Sequence, residues 1–517
     1  MPKIELFDST LRDGSQGEGI SFSVQDKLNI VRILDEFGVT YIEAGNPGSN
    51  PKDISFFEEL KKLKLNRSIP VAFGSTARFG TPVSEDANVK NLIAAETPAV
   101  AIFGKSWDLH IREILKITEE DNLSIVRDTV AYLKAAGKEV IFDAEHFFDG
   151  YKHNESCAMG VLAAAVEGGA DVLCLCDTNG GTLPDQVKTI TETVVAAFPR
   201  KRVAIHCHND IGCAVASSMA AVFGGATQVQ GTLIGFGERC GNADLSNVLA
   251  NLSLKCGYDC GVDPASLREV CLKIAEISNV RITGGHPYIG KSSFAHKGGM
   301  HIDGVQKCSE TFEHIPPESV GNTRKFLVSE VAGRGTILPS LQKFVPTLTK
   351  SSPETVELMS ILKEQEYQGY QYEGASASFE LLVKKHLGLM KPHFNVVMYK
   401  SYDDFPAPDG ECQSTAMVKI EVDGKTELSC AAGNGPVNAL DKAFRKAIRV
   451  FYPQIDEMEL ADYKVRVISN GTTNATVRVL IDSHGSRGDF TTIGVSCDII
   501  EASFTALIDS YEYELNS

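Results

Sequence analysis

The sequence contains no CxxC pair, no apolar run approaching membrane-spanning length and comparatively few cations. Each shortage excludes a class. Without CxxC pairs, and with its thirteen cysteines scattered through apolar strand-like and helix-like stretches, the chain has neither a zinc ribbon nor a disulfide framework. The cysteines therefore read as reduced, mostly buried small hydrophobes. Fifty basic residues against sixty-seven acidic ones leave a formal charge of −17, which argues against a nucleic-acid or anionic-membrane partner. The opening MPKIELFDST has no signal-like apolar stretch, so a cytoplasmic protein is expected. No GxGxxG turn follows the first candidate strand, which disfavours an open dinucleotide-binding sheet.

What is present is alternation. Over about 255 residues, short β-rich runs at Ile4–Asp8, Tyr41–Ala44, Ile69–Phe73, Val100–Phe103, Val140–Asp143, Val172–Cys176, Val203–His206 and Gln228–Ile234 alternate with amphipathic stretches. Val24, Leu28, Val31, Leu34 and Phe37 form one such helical face. Eight β/α repeats predict a closed parallel (β/α)8 TIM barrel, with an open doubly wound sheet as the alternative. From about 256 to 388 the pattern turns helical, around a Gly-, Lys- and His-rich passage, GGHPYIGKSSFAHKGGMHIDG. β-Alternation returns after about 389, where Phe394–Phe451 and Tyr463–Leu515 both read as three strands and a helix. This predicts a pseudo-symmetric α+β domain of two βββα halves, with a ligand or subunit interface between them. Gly433-Asn434-Gly435 and Gly494 are expected just before the two helices, where free backbone N–H groups could hold a carboxylate. The expected division is thus a barrel at 1–260, helical linker subdomains at 261–388 and the α+β domain at 389–517.

Polar residues gather at the strand ends, where parallel barrels carry their active sites. In RVAIHCHND, His206 and His208 lie two apart and face the same way, forming half a coordination shell. In DSTLRDG, Asp13 offers an oxygen ligand beside them and Arg12 a cation for a carbonyl or developing alkoxide. In GFGERCGN, Glu238 would repel phosphate, so this loop reads as a tight turn that brings Asn242 to the metal. Such a mixed oxygen–nitrogen set suits zinc, manganese or a similar divalent ion. Glu145 is a candidate for acid–base work and Thr178 for donating to a substrate carboxylate. His301, in the HKGGMHIDG passage, is a candidate general base. Taken singly, each of these three suits a structural role equally well.

Together, DSTLRDG, HCHND, GFGERCGN and FAHKGGMHIDG, with GNGPVNAL and GVSCDIIEASFTALIDS near the end, resemble the metal-dependent barrel family of 2-isopropylmalate, homocitrate and citramalate synthases. YIEAGNPGSNPKD and AHKGGMH resemble its (R)-citramalate branch most. The resemblance implies a divalent metal ion held by Asp13, His206, His208 and Asn242. It implies substrate contacts from Arg12, Gln16 and Thr178, and catalysis by Arg12, Glu145 and His301. Acetyl-CoA and pyruvate would be the substrates of a catalytic barrel at 1–260, isoleucine a feedback inhibitor acting on a regulatory, dimerising domain at 389–517, and a homodimer the assembly. Lys291, Lys297, Arg324 and Lys325 would supply positive charge for coenzyme A. A linker tyrosine that some members carry has no counterpart here: Arg324 follows Gly321-Asn322-Thr323 at the comparable point. Three alternatives stand beside this reading: a 2-isopropylmalate synthase using 2-oxoisovalerate, a 3-hydroxyacyl-CoA lyase on the same barrel, and a non-catalytic metal or metabolite binder.

Overall fold

The computed structural model describes residues 2–327, 334–404, 413–468, 475–486 and 488–516. The chain divides into two compact units, one of residues 1–294 with 315–324 and one of 295–314 with 325–517.

The first unit is a closed parallel barrel. Its strands are β1 (Glu5–Asp8), β2 (Tyr41–Gly45), β3 (Ile69–Ser75), β4 (Ala99–Lys105), β5 (Glu139–Glu145), β6 (Val172–Asp177), β7 (Arg202–Cys207) and β8 (Gln228–Gly231), with β8 pairing back onto β1. The strands expected from the sequence are all present. The eighth ends earlier than expected, because Leu233–Gly235 turns and Ile234 takes a left-handed φ of 65°. Between strand and helix ring lies a continuous apolar layer; inside the barrel, Phe7, Tyr41, Val71, Ile141, Val172 and Cys174 fill the lumen. The first helix, Val24–Phe37, shows how local sequence places the ring. Ser23 and Asp26 close a capping box at its start, Gly38 ends it at φ 97°, and Leu28, Ile30, Val31 and Leu34 turn inward. At the strands' N-terminal end, Arg202 joins Glu5 and Glu139 in a salt-bridged cluster, which closes the floor away from the loops that carry chemistry.

The second unit contains the repeat. β11 (Asn395–Asp404), β12 (Gln413–Val422) and β13 (Lys425–Gly433) form one antiparallel sheet followed by the helix Pro436–Ile448. β14 (Glu459–Val467), β15 (Val477–Gly485) and β16 (Gly488–Ser496) form a second followed by Ile499–Leu515. Two short strands, β9 (Ala295–His296) and β10 (Lys325–Phe326), pair in parallel earlier in this unit. The two helices share a core in which Phe444 packs against Phe504 and Tyr511. One local expectation needs correction. Gly494 is not in the turn before the last helix but inside β16, opposite Val479. A Cβ there would lie 1.9 Å from the carbonyl oxygen of Ala502, so the glycine lets helix and strand approach. Gly494→Ala is expected to destabilise this unit by about 1–3 kcal/mol or more, read as a lowered Tm by circular dichroism; an unchanged Tm would refute the packing account. Among the described residues, no helix is long and apolar enough to cross a membrane.

Candidate active site and metal centre

The site is assembled at the C-terminal mouth of the barrel. Asp8, the last residue of β1, accepts from the Thr10 amide and hydroxyl and from the Leu233 amide, which pins the first loop to the eighth. Burial raises its pKa to about 6. The fixed turn presents Arg12 and Asp13 in succession. The Arg12 Nε donates to Glu43 Oε2 at 2.8 Å, one terminal nitrogen donates to Asp13 Oδ2 at 2.8 Å, and the guanidinium stacks 4.1 Å above the Phe73 ring. Glu43 is fully buried and is also held by the Ser9 hydroxyl. The guanidinium is thus held on three sides before any substrate arrives.

Asp13 points toward the two histidines. Its Oδ2 lies 3.7 Å from His206 Nε2 and 3.6 Å from His208 Nε2, and the three ligand atoms all fall within 4.8 Å of one another. All three residues are buried. Burial pushes His206 down to about 3, aided by its neighbour His208, and burial likewise lowers His208, so both rings are neutral and able to ligate. Burial would raise Asp13, but the Arg12 charge, aided by the Asn242 hydrogen bond, outweighs it and holds the carboxylate below its ordinary range. The His206 Nδ1 faces Gln230 Oε1 at 3.2 Å, and an Nδ1–H donated there leaves the Nε2 lone pair directed at Asp13. Asn242 reaches the cluster through the glycine loop: Gly241 takes φ 87°, and a backbone bridge joins Asn242 to His208. Its Nδ2 donates to Asp13 Oδ1 at 2.7 Å, while its Oδ1 is buried without a hydrogen-bond partner among the described residues. Two neutral imidazoles, a carboxylate and an unpartnered amide oxygen fit a divalent cation, so these residues suit the ion that the sequence pattern implies.

A cavity of about 210 Å³ opens beside this cluster, and its wall includes Arg12, Asp13, Gln16, Glu145, Thr178, His206 and His208. Glu145 is paired with Lys105 from the neighbouring strand. The Thr178 hydroxyl accepts from the His146 amide at 2.9 Å, which leaves its own proton free to donate. His301 lies elsewhere in the chain, exposed on the helix Gly299–Lys307 of the second unit, with its ring stacked on Phe312. Of the cations expected to attract coenzyme A, Lys291 and Arg324 belong to the first unit and Lys297 and Lys325 to the second, where Lys297 is bound to Glu373. Glu43, Lys105, Asp143 and Gln230 are parts of the site that motif reading passed over. Their signal was a polar side chain set within a β-run otherwise apolar enough to be buried on both faces.

The profile described as HMGL-like matches residues 3–274, just over half of the chain. The chain belongs to the HMGL-like family. A homocitrate synthase post-HMGL domain-like profile follows at 288–365 and a LeuA allosteric (dimerisation) domain at 373–515. The (R)-citramalate synthase of Aquifex aeolicus is 49% identical over 99% of this chain and 98% of its own length, and that of Geobacter sulfurreducens 46% over 100% and 98%. The 2-isopropylmalate synthase of Clostridium kluyveri is 30% identical over 98% of this chain and 96% of its own. Within the family the chain thus falls on the (R)-citramalate synthase branch, whose members are far more similar to it than the isopropylmalate synthase over the same span.

Proposed function

We propose that this chain condenses acetyl-CoA with pyruvate and water to give citramalate and free coenzyme A. The observation that carries this reading is the identity gap, 42–49% to five (R)-citramalate synthases against 30–31% to the isopropylmalate synthases, over nearly the whole chain. The site's chemistry is consistent with it. A divalent ion held by Asp13, His206, His208 and Asn242 would supply Lewis acidity and a template for a chelating 2-oxo acid. Arg12, fixed by Glu43 and Phe73, would point charge at the keto oxygen as it becomes an alkoxide. Thr178 would donate to the substrate carboxylate and Gln16 would complete that contact. Glu145 and His301 are assigned to proton removal from the acetyl methyl group. The new carbon–carbon bond joins that methyl carbon to C2 of pyruvate, and water then cleaves the thioester. The division at 260 and 388, and a cytoplasmic location, belong to the same proposal.

Phe73 and Phe103 stack with ring centroids 5.4 Å apart on the cavity wall, where their bulk would shorten the space for the side chain of a bound 2-oxo acid. A hydrophobic pocket discriminates by ~1–3 kcal/mol per methylene, so pyruvate should exceed 2-oxoisovalerate in kcat/KM by roughly tenfold or more. Thiol release from acetyl-CoA, with pyruvate, 2-oxoisovalerate and 2-oxoglutarate offered separately, tests this. A higher kcat/KM for 2-oxoisovalerate would reassign the enzyme to the alternative reading.

The allosteric domain match and its two βββα halves support a homodimer regulated through this region. For a citramalate-forming enzyme the end product that would act there is isoleucine. Typical coupling is ~1–3 kcal/mol, equivalent to about 5–150-fold in affinity. Calorimetric titration of isoleucine into the intact protein, paired with the activity assay, should show both heat and inhibition. Leucine giving both while isoleucine gives neither would overturn the regulatory and substrate assignments together.

A further inference from the structure

A second group of ligating side chains lies in the barrel lumen, apart from the Asp13–histidine cluster. Cys174 and Cys176 alternate on β6 and therefore share its inward face. Asp143, on β5, is the register partner of Cys174, so its side chain projects on the same face. The three are at most 6% exposed, and their ligand atoms lie within 4.8 Å of one another. Asp143 and Cys176 line the same cavity as Arg12 and the histidines, which gives a small ion a route in.

The spacing of the sulfurs indicates what would fit. They are 3.9 Å apart, too far for a disulfide. Two metal–sulfur bonds of ~2.3 Å opened at a tetrahedral angle would place the sulfurs about 3.8 Å apart. A carboxylate oxygen would make a third ligand and the cavity leaves room for a fourth. We propose that Asp143, Cys174 and Cys176 form a second cation site, selective for thiophilic divalent ions such as Zn2+ or Cd2+, whose occupation inhibits the enzyme.

Selectivity follows from the donor set, because two thiolate sulfurs bind soft ions strongly enough to displace their protons. Burial raises the Cys174 thiol well above its ordinary value. For Cys176 the Cys174 hydrogen bond acts downward, but burial and the nearby carboxylates prevail. Burial and Glu43 lift Asp143 to about 7. The resting cluster thus retains its thiol protons at neutral pH. Binding forms two metal–sulfur bonds and one metal–carboxylate bond and releases to solvent both thiol protons and the proton that Asp143 partly holds near neutral pH, an exchange that soft ions drive and that Mg2+ or Mn2+ does not. Gln230 links the two centres, since its amide nitrogen faces Asp143 Oδ1 at 3.4 Å while its oxygen faces His206. An ion at Asp143 would therefore disturb His206 as well as fill the cavity. The binding claim is independent of the reaction; the inhibitory consequence rests on the proposed function.

The test titrates Cd2+ into the full-length enzyme in excess Mn2+, reading the ultraviolet thiolate-to-cadmium absorption and turnover together. Wild type should develop the band and lose activity. Cys174→Ser and the near-isosteric Asp143→Asn should each weaken Cd2+ binding by roughly 10–100-fold, with inhibition, measured against each variant's own rate, weakened in step. A band absent from wild type, or unchanged in both variants, would overturn the site. A band that both variants weaken without any effect on turnover would keep the site and overturn its inhibitory role.

Discussion

Replacing His208 by alanine is expected to release the divalent ion and, with it, essentially all turnover. The imidazole is buried, neutral and 3.6 Å from the Asp13 carboxylate, and its Nδ1 has no hydrogen-bond partner among the described residues. The Nε2 that faces Asp13 is therefore the ligand atom, and the unpartnered Nδ1 gives the ring no competing tie on its other side. Losing an outer contact to a metal ligand typically lowers metal affinity by roughly 10–100-fold, and losing a ligand itself should exceed that. The measurement is metal content after gel filtration, set beside thiol release at saturating acetyl-CoA and pyruvate. A chelator should reproduce the loss in wild type, and excess Mn2+ should restore wild type far more readily than the variant. Full activity in a metal-free preparation would sink the reading. Circular dichroism should show the barrel retained, because His208 sits just past the end of β7 and its backbone remains bonded to Asp177.

How much of this site was legible in the sequence depends on whether a residue's role is local. His206 and His208 were visible as a pair because a strand's two-residue period puts them on one face whatever surrounds them. Asp13 and Arg12 were visible because they follow a strand directly, and parallel barrels place such loops at one mouth. Glu43 was not visible. Its importance comes from the β1–β2 pairing, which sets it beside Arg12, and no local pattern states that register. Asp143 and Gln230 were missed for the same reason: each acts across a strand boundary, toward Cys174 and His206 respectively. The Gly494 misplacement has another origin. A glycine near a strand end looks the same in sequence whether it makes a turn or admits a helix. The two short sheets of the repeat were legible because β-alternation and the following amphipathic helix recur in the same order.

The second large effect concerns Arg12, and separating its chemistry from its structural duty needs two variants. Arg12→Leu removes the cation aimed at the keto oxygen. Removal of one such electrostatic contact elsewhere costs about 10²–10³ in kcat, or ~2.7–4 kcal/mol, and a formal positive charge places Arg12 at the upper end. Arg12→Lys keeps the charge but loses the planar fork that binds Glu43 and Asp13 together, so it should recover only part of the rate. The leucine variant also strands Glu43, which is fully buried and whose pKa burial already pushes up against the downward pull of Arg12. Breaking a buried pair in this way destabilises by about 3–5 kcal/mol, less where the stranded acid takes up a proton. Pairing Arg12→Leu with Glu43→Gln removes the unpaired charge. The double variant should therefore regain most of the lost Tm while its kcat stays at the level of Arg12→Leu. If the double variant recovers rate together with stability, Arg12 only holds the loop in place, and stabilisation of the alkoxide must come from elsewhere in the site.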